Sequence, residues 1–413
     1  MYSVFFFILM ALNILLLFYA LYFTLTGLMG FRYNRDKKKI EKDHQFAIVV
    51  AARDEEIVIG NLIESLKHQN YPDEKYDIYV LPNNCTDRTE DVAKEHGAKI
   101  IHCTGEIKSK GDALSQGFDA ILNGEKQYDA FCVFDADNLV HPEFLNAMNR
   151  ALCCGTLMAQ GFRDSKNPTD SWVSASYSVF YYCMNFFFNR ARTAMGLSAM
   201  INGTGFMIHT DIIRKHGFKT YTLTEDNEYS IQSVIRGYKI KYIDDAIIYD
   251  EHPIKFGDSF RQRKRWSKGV LGCMVRYSGS MLKNGLKGNP ACLDIFLFTL
   301  GPVVQLLSVV MTVLYITLYS VYISTTAFIL EELLMATLLC LACSFIFPAI
   351  IAIIATMLNG KRPSKLKLAI VGFPVFMISW IPINVCVLFD RNNEWKKIEH
   401  NRNITLMEVG KND

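Results

Sequence analysis

Val133-Phe134-Asp135-Ala136-Asp137-Asn138 closes an apolar run that begins at Ala130. Side chains at positions i and i+2 of a strand lie on one face, so Asp135 and Asp137 would project together. Two carboxylates in that position can share one hard cation, and oxygen ligands suit Mg²⁺ or Mn²⁺. An ion held in this way keeps open positions for a diphosphate. The alternative is that Asp-x-Asp is only a surface turn, and the surrounding sequence has to decide between the two.

Strand and helix patterns alternate around this stretch, from residue 45 to about residue 251. Such alternation predicts an α/β fold with a mostly parallel sheet, whose ligands bind beyond the C-terminal ends of the strands. The loops after Ala52, Leu81 and Phe134 would meet at that edge. The predicted strands are 46–52, 77–81, 98–101 and 130–135, and the predicted helices are 55–66, 91–96, 110–122 and 227–236.

Composition limits the classes of function that this chain can have. It has 413 residues, of which 50% are hydrophobic and 13% aromatic, and the mean hydropathy is +0.13. The apolar excess lies at the two ends of the chain. A net charge of only +3 argues against a protein built to bind nucleic acid. The 11 cysteines show no paired spacing, which indicates reduced thiols in cytosol or bilayer.

The N-terminal apolar run, residues 4–28, carries no charge and is long enough to cross a bilayer. No basic residue precedes it, whereas Arg32, Arg35 and residues 37–39 follow it. The positive-inside rule therefore places the N-terminus outside and residue 32 onward in the cytoplasm.

The C-terminal part carries a basic amphipathic helix, residues 259–281, and then three apolar runs, 294–324, 333–358 and 368–389. Most cations of that helix are expected to lie on the anionic leaflet. Three full spans would place the basic tail outside, which conflicts with its charge. Because Pro374 and Pro382 break the last run, we expect that run to lie in the interface or re-enter, with the tail cytoplasmic.

A set of motifs in a fixed order gives the chain a family resemblance that covers most of its length. It resembles a membrane-bound family-2 inverting glycosyltransferase with a GT-A fold. Within that family it is most similar to the processive group that includes cellulose, chitin, hyaluronan and poly-N-acetylglucosamine synthases. Each motif is weak alone, but the ordered set with QxxRW is specific. The motifs are Ala51-Ala52-Arg53-Asp54-Glu55, Asn83-Asn84-Cys85-Thr86-Asp87, Lys108-Ser109-Lys110-Gly111, Asp135-Ala136-Asp137, Thr224-Glu225-Asp226 and Gln262-Arg263-Lys264-Arg265-Trp266.

The resemblance implies a role for each group of motif residues. It implies a UDP-sugar donor, with Asp226 as the general base that takes the acceptor proton. The family usually places an Asp against the uracil base where this chain has Asn83, which leaves uridine specificity less secure. The implied catalytic residues are Asp226, Glu225, Gln262, Arg265 and Trp266; the nucleotide-sugar site is Ala51, Asp54, Glu55, Asn83, Lys110 and Asp135; the metal ligands are Asp135 and Asp137; the acceptor site is Gly203, Thr204 and Trp266.

Several of these residues have a structural alternative. Thr224-Glu225-Asp226 is also a good helix start, because acids in the first turn favour the helix dipole. Arg265 is assigned to the diphosphate, as a fixed cation, although it could be one more lipid contact. The aromatic residues between 172 and 188 favour packing over sugar stacking.

These predictions divide the chain into five parts: a transmembrane helix (1–30), a cytoplasmic GT-A domain (31–258), an amphipathic interface helix with QxxRW (259–292), transmembrane or interface helices (293–390) and a polar tail (391–413). The leading hypothesis is a multi-pass plasma-membrane enzyme that extends and exports a β-linked polysaccharide. One rival transfers a single sugar to a lipid acceptor. The other is a transporter or scaffold without catalysis, but the apolar runs contain almost no charged residue for a transport path.

Overall fold

One sheet of eight strands forms the centre of the computed structural model, which describes residues 2–35, 40–323, 329–390 and 402–410. The strands are β1 Phe46–Ala52, β2 Tyr76–Pro82, β3 Lys99–Ile100, β4 Ala130–Asp135, β5 Leu139–Val140, β6 Met158–Ser165, β7 Phe206–His209 and β8 Ile240–Asp250. Their order is β3-β2-β1-β4-β7-β6-β8-β5. The first four are parallel, β7 runs antiparallel to β4 and β6, and β8 is parallel to β6. The predicted mostly parallel α/β sheet is therefore confirmed.

Helices cover both faces of the sheet and continue beyond it. The helices are α1 Tyr2–Leu28, α2 Ile59–Lys67, α3 Thr89–Glu95, α4 Lys110–Leu122, α5 Phe144–Cys153, α6 Trp172–Cys183, α7 Ala191–Ala194, α8 Thr210–His216, α9 Glu225–Ile235, α10 Phe256–Leu286, α11 Pro290–Thr299, α12 Gly301–Ile323, α13 Ile329–Leu358, α14 Lys367–Ile378, α15 Trp380–Phe389 and α16 Leu406–Gly410. The first face of the sheet is covered by α2, α3 and α5, and the second by α4, α6, α8 and α9, so each face has its own apolar core.

Local sequence fixes the start of α4, the helix that begins beside the active site. The Ser109 Oγ accepts a hydrogen bond from the Asp112 amide at 3.1 Å, and the Asp112 carboxylate accepts one from the Ser109 amide at 3.0 Å. This reciprocal pair is a capping box, which satisfies two otherwise unpaired amides of the first turn. Lys110 is therefore held at the first helical position, at the edge where β1, β2 and β4 end.

Among the described residues, three helical segments are long and apolar enough to cross a membrane: Leu9–Arg32, Thr337–Leu358 and Pro363–Phe389. A fourth candidate is the pair Pro290–Thr299 and Gly301–Tyr315, which is bent by 51°. Buried polar groups connect the first helix to the bend. Arg192 and Asp294, both almost fully buried, pair at 3.1 Å, and the Tyr22 hydroxyl donates to Asp294 at 2.6 Å.

The last apolar run is broken at Ser379 and packs against α10 through a buried cation. Arg263 donates to the Phe376 carbonyl at 2.9 Å, to Ser379 Oγ at 2.8 Å and to Ser259 Oγ at 3.1 Å. Its guanidinium also lies 4.0 Å from the centre of the Phe376 ring. Arg263 is fully buried, so the expectation that the cations of this helix face lipid is wrong for this residue.

A chain of polar side chains joins α10 to two later helices. Ser267 Oγ donates to Asn384 at 2.5 Å, and Asn384 Nδ2 donates to Gln305 at 2.6 Å. The segment Pro363–Phe389 is 44% buried within the protein, against 6% for the N-terminal span. The segment thus packs more closely on the rest of the protein than the N-terminal span does, and whether it crosses the membrane, lies in the interface or re-enters stays a prediction.

The described part of the tail returns to the α/β domain. Arg402 Nε donates to Asp170 at 2.7 Å, its amide donates to Glu251 at 3.3 Å, and Val409 packs on Leu139. Residues 402–410 therefore pack against the α/β domain. The basic cluster 37–39 and the tail cations Arg391, Lys396 and Lys397, which entered the orientation argument, lie outside the described residues.

Candidate active site

Three carboxylates meet at the C-terminal end of β4. Asp135, Asp137 and Asp250 each offer an oxygen, and these oxygens lie within 4.8 Å of one another. Asp137 and Asp250 are buried, while Asp135 is partly exposed at the mouth of the site. Three hard oxygen donors at this spacing fit Mg²⁺ or Mn²⁺. The predicted pair of ligands is brought together, and Asp250 joins it from the end of β8.

A fixed hydrogen-bond network orients the Asp250 carboxylate. Arg163 donates to it through Nε at 3.0 Å and through Nη2, and Asn138 Nδ2 donates to its other oxygen at 2.8 Å. His252 Nδ1 lies 3.4 Å from the same carboxylate. Burial lowers the pKa of His252 to about 4, so its imidazole is neutral. Within the described part of the chain its Nε2 has no hydrogen-bond partner, which leaves one basic nitrogen next to the carboxylates.

Lys110 connects the carboxylate cluster to the predicted base. Its Nζ lies 2.5 Å from Asp135 Oδ1, donates to the Gly203 carbonyl at 2.7 Å and lies 3.9 Å from Glu225. Burial works against the charged ammonium, but Asp135 and Glu225 together hold the pKa of Lys110 above its ordinary value. The ammonium thus neutralises a carboxylate that a metal ion would otherwise neutralise.

Asp226 lies in the first turn of α9, as the sequence predicts. Its Oδ1 accepts from the Asn227 amide at 2.8 Å, which leaves Oδ2 facing the Gly203 turn. Burial, reinforced by the neighbouring Glu225, raises the pKa of Asp226 to about 7. A carboxylate with a pKa near neutrality is suited to take a proton at physiological pH.

The turn before β7 requires glycine at the position that faces Asp226. Gly203 has φ +85°, and a Cβ placed there would lie 3.5 Å from Asp226 Oδ2. Thr204 is fully buried; its hydroxyl donates to Asn138 and accepts from the Asp135 amide at 3.0 Å. The Thr204 side chain therefore supports the Asp135 turn, and the backbone of Gly203 is the part of this turn that faces the site.

The QxxRW residues lie on one stretch of α10 beside Asp226. Arg265 is close enough to lower the pKa of Asp226, in opposition to burial and Glu225. In the described residues, Arg265 Nε and Gln262 Oε1 are buried without a hydrogen-bond partner. Trp266 is half-buried, stacked at 6.4 Å on Phe180 and edge-on to Tyr177 at 5.9 Å. Most of the aromatic stretch of α6 thus serves packing, and it supports Trp266 from behind.

The predicted nucleotide-binding residues line the loops after β1 and β2. Ala51 pairs with both Leu81 and Asp135 across the sheet, so the three strand ends are level. Asp54 adopts φ +54° and accepts from the Thr86 amide at 2.6 Å, which ties the two loops together. Glu55 lies in the same loop, and its amide donates to Thr89 Oγ1 at 2.7 Å.

Asn83, at the end of β2, turns its amide nitrogen back onto the main chain. Nδ2 donates to the Ala52 carbonyl at 3.0 Å and to the Leu81 carbonyl at 3.3 Å. The side-chain oxygen, the atom that could accept from a uracil N–H, is therefore the one presented outward.

The structure adds residues that the sequence did not point to. Arg163, Asp250 and His252 follow Asp135 by 28, 115 and 117 residues, and no local motif marks them. A partial signal was available, because Asp250-Glu251-His252 follows an apolar run in the manner of Asp135-Ala136-Asp137.

Comparison with known proteins shows which family this chain belongs to. Residues 44–269 match the family described as Glycosyltransferase like family 2. The chain is 27% identical over 280 residues to the Probable glycosyltransferase YdaM of Bacillus subtilis, covering 65% of this chain and 64% of that protein. It is 23% identical over 231 residues to the Beta-monoglucosyldiacylglycerol synthase of Synechocystis sp., covering 54% of this chain and 47% of that protein. Each match spans less than two thirds of the relative's length.

Two further comparisons concern a polysaccharide synthase and a solved structure. The Poly-beta-1,6-N-acetyl-D-glucosamine synthase of Staphylococcus aureus is 23% identical over 289 residues, covering 65% of this chain and 68% of that protein. The mannosyltransferase PcManGT from Pyrobaculum calidifontis, solved in complex with GDP-Man and Mn²⁺, superposes with a TM-score of 0.62 at 14% identity. That match covers 92% of this chain and 98% of the other, and at this identity it establishes the fold alone. Since the family match spans more than half of the chain, this protein belongs to glycosyltransferase family 2 and is a glycosyltransferase with a GT-A fold.

Proposed function

We propose that this glycosyltransferase uses a UDP-sugar and a divalent cation, and inverts the anomeric centre during transfer at a membrane surface. The observation that carries the proposal is the short connection through Lys110. This residue contacts Asp135 on one side and the Gly203 turn on the other, and that turn faces Asp226. A donor sugar bound over Gly203 would thus have the residues that bind its diphosphate on one side of the reacting carbon and Asp226 on the other, within one cavity.

On the diphosphate side, the chain supplies carboxylates for a cation and two fixed positive charges. Asp135, Asp137 and Asp250 would hold Mg²⁺ or Mn²⁺, which when bound would neutralise charge on the leaving diphosphate. Arg265, with an unpaired buried Nε, would donate to the same phosphates. Lys110 would exchange its contact with Asp135 for the diphosphate once a cation occupies the carboxylates.

On the opposite side, Asp226 would take the proton of the acceptor hydroxyl. Its pKa near 7 keeps a useful fraction ionised while leaving it basic enough to accept a proton. As the acceptor oxygen bonds to C1, the bond from C1 to the diphosphate breaks on the far side. An α-linked donor would therefore give a β-linked product. Trp266, held by the aromatic rings of α6, would offer its flat face to the acceptor sugar.

The leading proposal for the acceptor is a growing β-linked polysaccharide that is exported as it forms. Support comes from QxxRW, from the membrane-type helices and from similarity to a polysaccharide synthase. The second candidate is a lipid acceptor that receives one sugar, and it is favoured by the similarity to glucosyldiacylglycerol synthases. A gel of the product separates them: a ladder or high-mass polymer supports the first, and a single glycolipid spot supports the second.

We propose a multi-pass protein of the plasma membrane with a cytoplasmic catalytic domain. If α14 and α15 do not cross, the described tail lies on the same side as the sheet, which agrees with its contacts to Asp170 and Glu251. A single cysteine introduced at Asn403 tests this arrangement. An impermeant thiol reagent should label it only after the cells are opened, and labelling of intact cells would contradict the cytoplasmic tail.

Measuring UDP release from a panel of UDP-sugars by the purified full chain with Mn²⁺ tests the activity itself. Release from at least one UDP-sugar, abolished by a chelator and restored by Mn²⁺ or Mg²⁺, is the expected result. Release of GDP from a GDP-sugar, with no UDP released from any UDP-sugar, would contradict the uridine assignment, which rests on the family resemblance.

A further inference from the structure

A cationic cavity of about 290 Å³ lies between α8, α9 and α10, away from the carboxylates of the active site. Its lining combines cations with hydrogen-bonding side chains and contains no acid: His216, Lys219, Tyr221, Arg236, Tyr277 and Ser280 all contribute. Arg276 stands at its edge, with the guanidinium 4.1 Å from the centre of the Tyr221 ring. We call this cavity the α8–α10 pocket.

The cations of the α8–α10 pocket have no carboxylate partner in the part of the chain that the structure describes. Among the described residues, Lys219, Arg236 and Arg276 form no salt bridge. The nearest acid, Glu228, is fully buried behind the pocket and accepts from the Tyr277 hydroxyl at 2.6 Å. Its other oxygen accepts from the amides of residues 221 and 222, at 2.6 and 2.7 Å. Glu228 thus fixes the wall of the pocket, and the pocket itself remains positively charged.

Burial lowers the pKa of His216, and the positive charges of Arg236 and Lys215 lower it further, which favours the neutral imidazole. An anion in the pocket would meet the cations of Lys219 and Arg236 and the hydroxyls of Tyr221, Tyr277 and Ser280.

An apolar groove of about 560 Å³ adjoins the pocket and shares Tyr221 with it. It lies between α10 and α15 and is lined by Leu271, Val275, Val387 and Leu388. Val275 is 79% exposed and Leu388 is 62% exposed, which is unfavourable in water. The ligand that fits both parts has an anionic head and an apolar tail.

The pocket is too far from the chemistry to hold the acceptor hydroxyl. Tyr277 and Ser280 follow Arg265 by 12 and 15 residues on one continuous helix. At about 1.5 Å per residue, the pocket lies roughly 18 to 22 Å along α10 from the diphosphate-binding guanidinium. A phosphate bound in the α8–α10 pocket would therefore lie well away from the guanidinium that we assign to the diphosphate.

We infer that the α8–α10 pocket binds the phosphate of an anionic glycerophospholipid, whose acyl chains lie in the adjoining groove. A phospholipid of the same leaflet would place its phosphate against the cations of an interface helix and its chains against the exposed valine and leucine. A free phosphate would satisfy only the pocket and leave the groove exposed. The inference rests on the proposed placement of α10 at the membrane surface.

The test uses the full chain in neutral detergent, delipidated and without any sugar donor, so its outcome does not depend on transferase activity. Dioctanoyl phosphatidylglycerol is titrated while the thermal-unfolding midpoint is followed, with dioctanoyl phosphatidylcholine and inorganic phosphate as comparisons. The variant R236Q/R276Q removes two pocket cations. The matched control K283Q/K287Q removes two exposed cations from the same end of α10 and from the residue after it, and neither lines the pocket.

We expect phosphatidylglycerol to raise the midpoint of the wild type and of K283Q/K287Q, with little effect from either comparison ligand. R236Q/R276Q should bind about thirtyfold more weakly, because each cation near an anionic lipid contributes about fivefold. V275E, at an exposed site where folding should be unaffected, should also weaken lipid binding.

Five results would overturn the inference. If R236Q/R276Q bound phosphatidylglycerol as tightly as the wild type, the α8–α10 pocket would not be the binding site. If R236Q/R276Q and K283Q/K287Q weakened binding equally, the effect would be diffuse attraction to a positive surface. An equal shift of the unfolding midpoint with phosphatidylcholine would show that the charge of the lipid plays no part in binding. An equal shift with inorganic phosphate, or unchanged lipid binding by V275E, would make the ligand a soluble phosphate rather than a lipid.

Discussion

Replacing Lys110 by methionine should tighten metal binding while it slows transfer. In the donor-free protein the Lys110 ammonium lies 2.5 Å from Asp135, and a metal ion must displace it to use that carboxylate. Methionine has a similar volume and no charge, so it removes this competition. The same change removes a cation that we assign to the diphosphate, so turnover should fall.

The size of the effect follows from the geometry of the pair. At 2.5 Å, Coulomb's law gives roughly 2 to 7 kcal/mol for an effective dielectric constant of about 80 to 20. The side chains of Lys110 and Asp135 are 21% and 34% exposed, so solvent screens part of this energy. A charged hydrogen bond contributes a net ~1.5 to 3 kcal/mol, and the partial exposure favours the lower end. We therefore expect the Kd for Mn²⁺ to fall by roughly tenfold, and by no more than about a hundredfold.

Isothermal titration of Mn²⁺ into the donor-free protein measures this change. Lys126→Met is the matched control, because Lys126 pairs with Asp77 at 2.6 Å at the opposite end of the strands. The control should leave the Mn²⁺ affinity unchanged. Unchanged or weaker Mn²⁺ binding in Lys110→Met would refute the reasoning that Lys110 neutralises a metal-binding carboxylate.

Three further predictions concern the base, the metal ligands and the interface helix. Because Glu225 raises the pKa of Asp226, kcat/KM should rise at a lower pH in Glu225→Gln than in the wild type. An unchanged pH profile would contradict the influence of Glu225 on the pKa of Asp226. Asp250→Asn should weaken Mn²⁺ binding by about tenfold or more in the same titration. Wild-type affinity in this variant would mean that Asp250 is not a metal ligand. Arg263→Met should lose about 3 kcal/mol of stability with its three hydrogen bonds, seen as a lower thermal-unfolding midpoint in detergent. Lys264→Met, at a partly exposed pair with Asp390, is its control, and equal loss in both would contradict the structural role of Arg263.

The N-terminal half of the sheet could be predicted because its signals are local. Strand β1 is wholly apolar, β4 is apolar up to Asp135 and β2 is apolar after Asp77, while α4 begins with a capping box that is visible in the sequence. Parallel strands end at the same edge, so the meeting of the loops after Ala52, Leu81 and Phe134 followed from the order of these elements. Lys110 was assigned to the site by the family resemblance, and its contact with Asp135 is a finding of the structure.

The second half of the sheet could not be predicted, because buried polar residues hide its strands. β6 is buried along its whole length but carries Gln160, Arg163 and Asp164, whose partners come from distant parts of the chain. Without β6 and β8, Asp250 could not be placed beside Asp135. The buried position of Arg263 was equally hidden, since a cation on an amphipathic helix normally faces solvent or lipid, and its partner Phe376 lies 113 residues away.

The central claim is that one side of the cavity neutralises the leaving group while Asp226 takes the proton on the other. Comparing Asp226→Asn with the wild type, in Mn²⁺-dependent UDP-sugar binding and in turnover, tests it most directly. The account predicts donor affinity within about threefold of the wild type and turnover lower by about 10²- to 10⁴-fold. Parallel loss of donor binding, or turnover that survives the change, would contradict it.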